Sequence, residues 1–111
     1  MKGARVTINA GVCGFVTEAT AGSPDGQEVQ LAITSPCEKI MGLAQRLPAT
    51  LDAYAEIGAG FAGEFHQAVQ EALVGCCSGC AVPAGLFKAM QVAAGLALPA
   101  PVTIELERVK E

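Results

Sequence analysis

The sequence is poor in aromatic residues, with four Phe, one Tyr and no Trp among 111 residues. A hydrophobic core must therefore be filled mainly by alanine and aliphatic residues, since the hydrophobic fraction reaches 51%. Charged residues are also few, at 16%. Because disordered chains combine low hydrophobicity with high charge, this composition excludes disorder and indicates a globular protein. The length predicts a single α+β domain that spans residues 1–111.

Positive charge is scarce and scattered, and seven Lys and Arg against eleven Asp and Glu give a net charge of −4. Nucleic-acid binding needs clustered positive charge, so we expect neither a nucleic-acid partner nor an anionic membrane partner. The most apolar stretch, residues 81–100, is interrupted by Pro83, Lys88 and Gln91. It therefore predicts a buried helix rather than a membrane span. With no signal peptide recognisable, we expect a cytoplasmic protein whose thiols stay reduced.

Several motifs of catalysis are missing. The sequence has no phosphate-binding loop, no dinucleotide fingerprint and no Gly-x-Ser-x-Gly elbow, and it does not decide whether the protein is an enzyme. The single histidine, His66, lies in a helical stretch and is predicted to be a solvated helix residue. Asp52 and Glu56, four residues apart, are predicted to be polar groups on the surface.

Alternation of polar and apolar residues predicts three strands, at residues 4–10, 13–20 and 27–34. Turn-forming residues fill the segment 21–26, which ends in the Asp-Gly pair typical of tight hairpins. A further alternating stretch, residues 102–107, predicts a C-terminal strand. The sheet is thus expected to be a three-stranded antiparallel meander plus this last strand.

Helical patterns occupy the middle of the chain. Ser35, Pro36 and Glu38 have the residue types of a helix start, with an N-cap, a first-turn proline and a capping box. Helical periodicity follows as far as Leu47 and returns over residues 51–57, 64–74 and 82–98. The order of elements predicts an α+β fold in which about three helices pack on one face of the sheet.

What the sequence has in abundance is cysteine, with five residues in a short chain. Three of them lie together in Cys76-Cys77-Ser78-Gly79-Cys80, and the other two, Cys13 and Cys37, lie where predicted elements begin. An odd number of cysteines argues against a closed set of disulfides. In a reducing compartment, clustered cysteines indicate metal or redox chemistry.

Zinc and iron–sulfur centres are bound by thiolates, and a four-coordinate site needs four ligands. Cys77 and Cys80 have the C-x2-C spacing that brings two sulfurs to one ion. Cys37 lies at a helix N-terminus, which stabilises a thiolate, and Cys13 lies beside a turn that can direct it to the same end of the sheet. We therefore predict a zinc or iron–sulfur site formed by Cys13, Cys37, Cys77 and Cys80. Cys76 is the alternative to Cys77, or a free thiol.

Two other functions fit the same residues. The first is a thiol–disulfide redox protein that uses Cys77 and Cys80. Redox C-x2-C motifs usually follow a strand and open a helix, whereas a helix precedes this one. The second is an interaction or assembly module whose cysteines are simply buried, as free cysteines often are. A homodimer formed through an exposed strand edge is also expected.

The cysteine-bearing segments resemble those of small uncharacterised cysteine-containing proteins from anaerobic bacteria and archaea. The resemblance is carried by Cys13-Gly14-Phe15, by Thr34-Ser35-Pro36-Cys37 and by Cys80-Ala81-Val82-Pro83 leading into residues 92–99. More distantly, the order hairpin, cysteine, helix, cysteine, helix looks like the TSCPD domain and NifU-like modules. This likeness implies metal or iron–sulfur handling. TSCPD proteins carry Thr-Ser-Cys-Pro-Asp where this chain has Thr34-Ser35-Pro36-Cys37-Glu38.

Overall fold

An antiparallel sheet forms one layer of the protein, and helices form the other. The computed structural model describes residues 2–110. Within them the strands are β1 (Lys2–Asn9), β2 (Val16–Ser23), β3 (Glu28–Thr34) and β4 (Leu51–Asp52), in the order β1-β2-β3-β4. The helices are α1 (Glu38–Arg46), α2 (Ala53–Ala59), α3 (Glu64–Ala72) and α4 (Val82–Ala93). Short 3-10 helices, Gly60–Ala62 and Gly75–Gly79, precede α3 and α4. The predicted α+β fold class is confirmed.

The β1–β2 hairpin and α4 form the centre of the packing. Along β2, every second side chain is buried, as alternation predicts for a strand with one covered face. The buried residues there include Ala19 and Ala21, whose small side chains let α4 approach the sheet closely. The approach is closest at Gly85 of α4, where an added Cβ would stand 2.5 Å from Cδ1 of Ile8. Glycine is therefore required at this position by the spacing of helix and strand.

The core between the two layers is built mainly from aliphatic side chains, as the composition predicts. The largest fully buried hydrophobic side chains are Phe65, Ile40, Leu43, Leu51, Leu86, Met90, Val29 and Val82. Only one of these is aromatic. No helix within residues 2–110 combines the length and apolarity needed to cross a bilayer.

The fourth strand of the sheet is not the one that the sequence predicts. Residues 98–110 lie in neither helix nor strand, and all of them are exposed. The sheet gains β4 instead, which pairs with β3 through Leu51 opposite Val29 and Asp52 opposite Glu28. A segment in which polar and apolar residues alternate forms a strand only if its backbone N–H and C=O groups can also pair with the edge of a sheet.

The helix start at Ser35 also differs from the prediction. Helix α1 begins at Glu38 with Cys37 as its N-cap, and no side chain caps it. The Ser35 hydroxyl instead accepts hydrogen bonds from the Cys37 N–H, at 3.2 Å, and from the Thr17 hydroxyl, at 2.8 Å. This long-range bond to Thr17 takes the hydroxyl away from the predicted capping box and ties the start of α1 to β2.

Candidate metal centre

Two cysteine-bearing segments meet where β1 ends, β2 begins and β3 ends. Cys13 lies in the turn between β1 and β2, and Cys37 follows β3. The antiparallel register places these points at the same end of the sheet, since Thr34 pairs with Glu18 near the start of β2. The hydrogen bond from Thr17 to the serine before Pro36 joins the two segments directly.

The start of α4 brings the other cysteines to this end. Gly85, in the first turn of α4, packs against Ile8, the penultimate residue of β1. Cys80 precedes α4 by two residues, and Cys77 lies in the 3-10 helix just before it. Three separate segments of the chain therefore converge at one place, which we call the cysteine end of the sheet.

A tight turn holds Cys77 and Cys80 together. Gly75 adopts a φ of 71°, a left-handed conformation that glycine tolerates, and thereby opens the 3-10 helix. The Cys80 N–H donates to the Cys77 carbonyl oxygen at 3.1 Å and closes the turn. Both thiols are half-buried against the core, as is Cys37, whereas Cys76 is exposed. Exposure thus distinguishes Cys76 from Cys37, Cys77 and Cys80, whereas the predicted ligand Cys13 is exposed as well.

The thiols also act on one another electrostatically. Burial raises the pKa of Cys80, and negative charge on Cys13, Cys37 and Cys77 raises it further, while a hydrogen bond from the Val82 backbone N–H lowers it. The charges of three of the predicted ligands thus act on the fourth, and we call Cys13, Cys37, Cys77 and Cys80 the four-cysteine group.

The four-cysteine group is not a finished coordination sphere. Over residues 2–110, no three His, Cys, Asp or Glu side chains have the spacing that would hold one metal ion. All five cysteines are free thiols. Cys13 is exposed and lies between Gly11 and Gly14, both with positive φ, on a turn whose glycines permit other backbone conformations. The group thus has three thiols anchored on the core and one on a loop, and metal binding stays a prediction.

The chain matches, over residues 4–106, the family described as "Family of unknown function (DUF6951)". The chain belongs to DUF6951. The expected relation to an uncharacterised family is thereby confirmed, while no link to the TSCPD domain or to NifU-like modules is shown. No curated protein and no solved structure matches the chain. The DUF6951 match includes all five cysteines and most of the exposed C-terminal segment.

The histidine of this DUF6951 chain is not the solvated residue that the sequence predicts. The His66 ring packs against the rings of Phe61, Phe65 and Phe87, with centroid distances of 4.7, 5.2 and 4.8 Å. Its Nδ1 atom is buried and has no hydrogen-bond partner among the described residues. Phe61 and Phe65 are close to His66 in sequence, but Phe87 belongs to α4. The helical periodicity of α3 alone cannot predict a contact with another helix. His66 is therefore part of an aromatic cluster.

Asp52 and Glu56 have structural roles at helix starts. Glu56 is only 4% exposed, and its Oε1 and Oε2 atoms accept hydrogen bonds from the N–H groups of Phe65, at 2.8 Å, and Glu64, at 3.2 Å. Asp52 Oδ1 accepts from the Ala55 N–H at 3.0 Å. Asp52 thus caps α2 and Glu56 caps α3. The prediction of a surface position was wrong for Glu56, because its partners lie eight and nine residues further along the chain.

Proposed function

We propose that this protein binds a metal centre, zinc or an iron–sulfur cluster, through Cys13, Cys37, Cys77 and Cys80. The observation that carries the proposal is the convergence of these thiols, from three separate segments, at one end of the sheet. Unrelated buried cysteines have no reason to gather in this way.

The chemistry of the donors supports the same function. Thiolates are soft ligands that favour zinc and iron–sulfur clusters, and four of them satisfy a tetrahedral site. Cys37 is the N-cap of α1, and Cys80 accepts a hydrogen bond from Val82 at the start of α4. Helix N-termini stabilise negative charge, and N–H groups directed at a thiolate help to orient a metal ligand.

A bound cation also resolves a conflict within the group. Burial and the neighbouring negative charges raise the pKa of Cys80 and oppose its ionisation. A metal ion replaces this repulsion with attraction, and its binding releases protons from the thiols. Because no three of these thiols have the spacing that holds one metal ion, closure of the site requires the turn that carries Cys13 and the segments that carry the other thiols to move together.

Metal analysis of protein purified under anaerobic conditions tests the proposal. Elemental analysis is expected to find zinc, or iron with acid-labile sulfide, bound stoichiometrically. Iron–sulfur protein absorbs visible light, whereas zinc protein is colourless. Serine substitution of Cys13, Cys37, Cys77 or Cys80 should each abolish stoichiometric binding. Cys76→Ser is the matched control, since it removes a cysteine from the same turn, and it should retain the metal.

Two results would contradict this proposal. One is a metal content near zero after anaerobic purification and after reconstitution with zinc, or with iron and sulfide. The other is equal metal binding by the wild type and by all four single serine variants. Loss of metal in Cys76→Ser together with retention in Cys77→Ser, while the other three variants lose it, would exchange Cys76 for Cys77 in the ligand set.

The closed turn between Cys77 and Cys80 supports a second candidate, a thiol–disulfide redox protein. This candidate is weaker, because redox C-x2-C motifs usually follow a strand and open a helix, whereas Cys77 lies in a 3-10 helix that follows α3. The two functions differ in their need for the distant thiols. A redox protein keeps its reversible Cys77–Cys80 disulfide in Cys13→Ser and Cys37→Ser variants, while a metal protein loses its metal in both.

A further inference from the structure

The C-terminal segment, residues 102–107, has the sequence of a strand but pairs with no strand among residues 2–110. Apolar and polar side chains alternate along it, with Val102, Ile104 and Leu106 against Thr103, Glu105 and Glu107. The three apolar side chains are 61%, 68% and 92% exposed. Exposure of apolar area costs about 25 cal/mol per Å², so burial of this segment is favourable. We call residues 102–107 the tail strand.

In the part of the chain that the structure describes, β1 pairs with β2 alone, so the sheet has an open edge at β1. The Ala10 N–H donates to the Phe15 carbonyl oxygen at 3.1 Å, which makes this a hydrogen-bonded pair in the β1–β2 register. Hydrogen-bonded pairs alternate along an antiparallel ladder. The N–H and C=O groups of Arg5 and Thr7 therefore point to the open side. Such an edge is a template for a further strand.

The side chains of β1 complement those of the tail strand. Val6 and Ile8 pack against the core but are only half-buried, and Arg5 is exposed on the other face. A strand added beside β1 continues both faces of the sheet. With its apolar side chains beside Val6 and Ile8, the tail strand places its glutamates on the face that carries Arg5. Opposite charges on neighbouring strands stabilise their pairing.

The segment that joins α4 to the tail strand favours a partner in another chain. Leu98-Pro99-Ala100-Pro101 has two prolines in three residues, and proline-rich connections are extended and semi-rigid. The described chain measures 51 × 28 × 26 Å along its principal axes, so it is far longer than a rounded domain. The exposure of residues 98–110 fits a tail that projects from the domain instead of folding back on it.

We propose that two copies of this chain form a dimer by reciprocal exchange, in which the tail strand of each copy pairs with the β1 edge of the other. Each tail strand then buries its apolar side chains against its partner, and the open edge of each sheet is closed. The contact is the same on both chains, as a two-fold dimer requires. The tail strand lies almost wholly within residues 4–106, the range that matches the family.

Light scattering on size-exclusion fractions tests the exchange. The wild type should have twice the chain mass of 11.3 kDa. Ile104→Gln and Thr103→Gln form a matched pair. Both introduce glutamine, but only the first removes an apolar side chain that the proposed exchange would bury. Ile104→Gln should raise the dimer dissociation constant at least about tenfold, and Thr103→Gln should leave it within about threefold. Deletion of residues 100–111 should give a monomer with unchanged metal content.

A mixing experiment distinguishes exchange from other dimers. Thr7→Pro removes an N–H from the open edge of β1, a position where proline is tolerated. Alone, it should be monomeric. Mixed with the deletion variant, it should form a heterodimer, because its tail strand meets an intact β1 edge. If Thr7→Pro fails to fold by circular dichroism, the deletion and the Ile104→Gln and Thr103→Gln pair decide the question.

Three results would overturn the exchange. One is a dimer that survives deletion of residues 100–111. Another is a wild-type monomer at high concentration with rapidly exchanging tail amides. The third is a wild-type monomer whose tail amides are protected from hydrogen exchange, which would place the tail strand on its own β1. None of these results depends on metal content. The proposed dimer and the proposed metal centre are therefore tested independently of each other.

Discussion

The two ends of the sheet are held by different chemistry. At the end formed by the β2–β3 turn, polar groups of the chain satisfy one another. Asp25 Oδ1 accepts hydrogen bonds from the N–H groups of Gln27 and Glu28, both at 2.9 Å, and the Gln27 side chain donates to Asp52 at 2.8 Å. We call this the polar end. Its groups need no further ligand.

At the cysteine end, the hydrogen bonds involve mainly backbone and hydroxyl groups, and no three potential metal ligands among residues 2–110 are grouped to hold one ion. Ser35 joins Thr17 to Cys37, and a backbone bond closes the turn from Cys77 to Cys80. A thiol is a weak hydrogen-bond donor, and neighbouring thiolates repel. The comparison teaches that the chain's own hydrogen bonds satisfy one end of its sheet, whereas at the other end the proposed cation would supply an attraction that the thiols do not provide for one another.

The largest expected effect is the response of the cysteine end to metal. Zinc present at 1,000 times its dissociation constant stabilises the folded state by about 4 kcal/mol. A chelator should therefore lower the melting temperature of the metal-loaded wild type by several degrees or more. It should leave Cys80→Ser unchanged, since that variant has no metal to lose. Calorimetry with and without chelator measures this, and an equal response in both proteins would contradict the difference between the ends.

The next effect concerns the contact that brings Cys80 to the sheet. Gly85→Ala places a Cβ 2.5 Å from Cδ1 of Ile8 and should cost about 1–3 kcal/mol, because the start of α4 must move away from β1. Metal affinity should fall as well. Ile8→Ala removes the obstructing atoms, so the double variant should be more stable than the sum of the two single changes predicts. Denaturant unfolding of the four proteins gives the coupling energy, and strict additivity would show that the contact does not position α4.

A smaller effect is expected where a buried carboxylate caps a helix. Glu56→Ala leaves the N–H groups of Glu64 and Phe65 without their acceptor and should lower the free energy of unfolding by about 1–2 kcal/mol. Metal content should not change, because the cap lies outside the four-cysteine group. Urea unfolding and elemental analysis of the same variant check both statements. Loss of metal in Glu56→Ala would show that the two regions are coupled.

The smallest effect is the acid response of the polar end. Backbone N–H groups of Gln27 and Glu28 lower the pKa of Asp25, and the Ala55 N–H and then the Gln27 side chain lower that of Asp52. A lowered pKa in the folded state stabilises the protein above the unfolded pKa, and this contribution is lost as the pH falls through the folded value. The melting temperature should therefore decrease below roughly pH 4. Asp25→Asn and Asp52→Asn should each make the melting temperature decrease less with falling pH. An unchanged pH dependence in both variants would show that other titrating groups cause the decrease.

The sequence predicts the elements whose signals are local. The three long strands follow from alternation, because one covered face imposes a period of two residues on each of them. The gathering of Cys13, Cys37, Cys77 and Cys80 follows from their places at element ends, since the topology brings those ends together. Their separations cannot be predicted in this way, because they depend on how turns and helices pack.

The features that the sequence does not predict depend on distant partners. The hydroxyl of Ser35 bonds to β2 and leaves the capping box unformed. His66 joins an aromatic cluster completed by Phe87 from another helix, and the partners of Glu56 belong to the next helix. Residues 102–107 alternate as a strand does, yet pairing depends on an available edge. In each case the local sequence pattern gives the chemical type of a side chain, but it does not identify the residue that this side chain contacts.

The exposure of Cys76 provides a direct count of site occupancy. All five cysteines are free thiols, and the proposed metal would engage the four-cysteine group and leave this one outside. Alkylation of the native protein followed by intact mass spectrometry should then add one label to each loaded chain and at least two to each empty one, because Cys13 is exposed as well. The two mass peaks report the fraction loaded within a single sample, without any measurement of protein concentration. For a chain with one tyrosine and no tryptophan, whose ultraviolet absorbance is weak, that independence makes stoichiometry easier to determine.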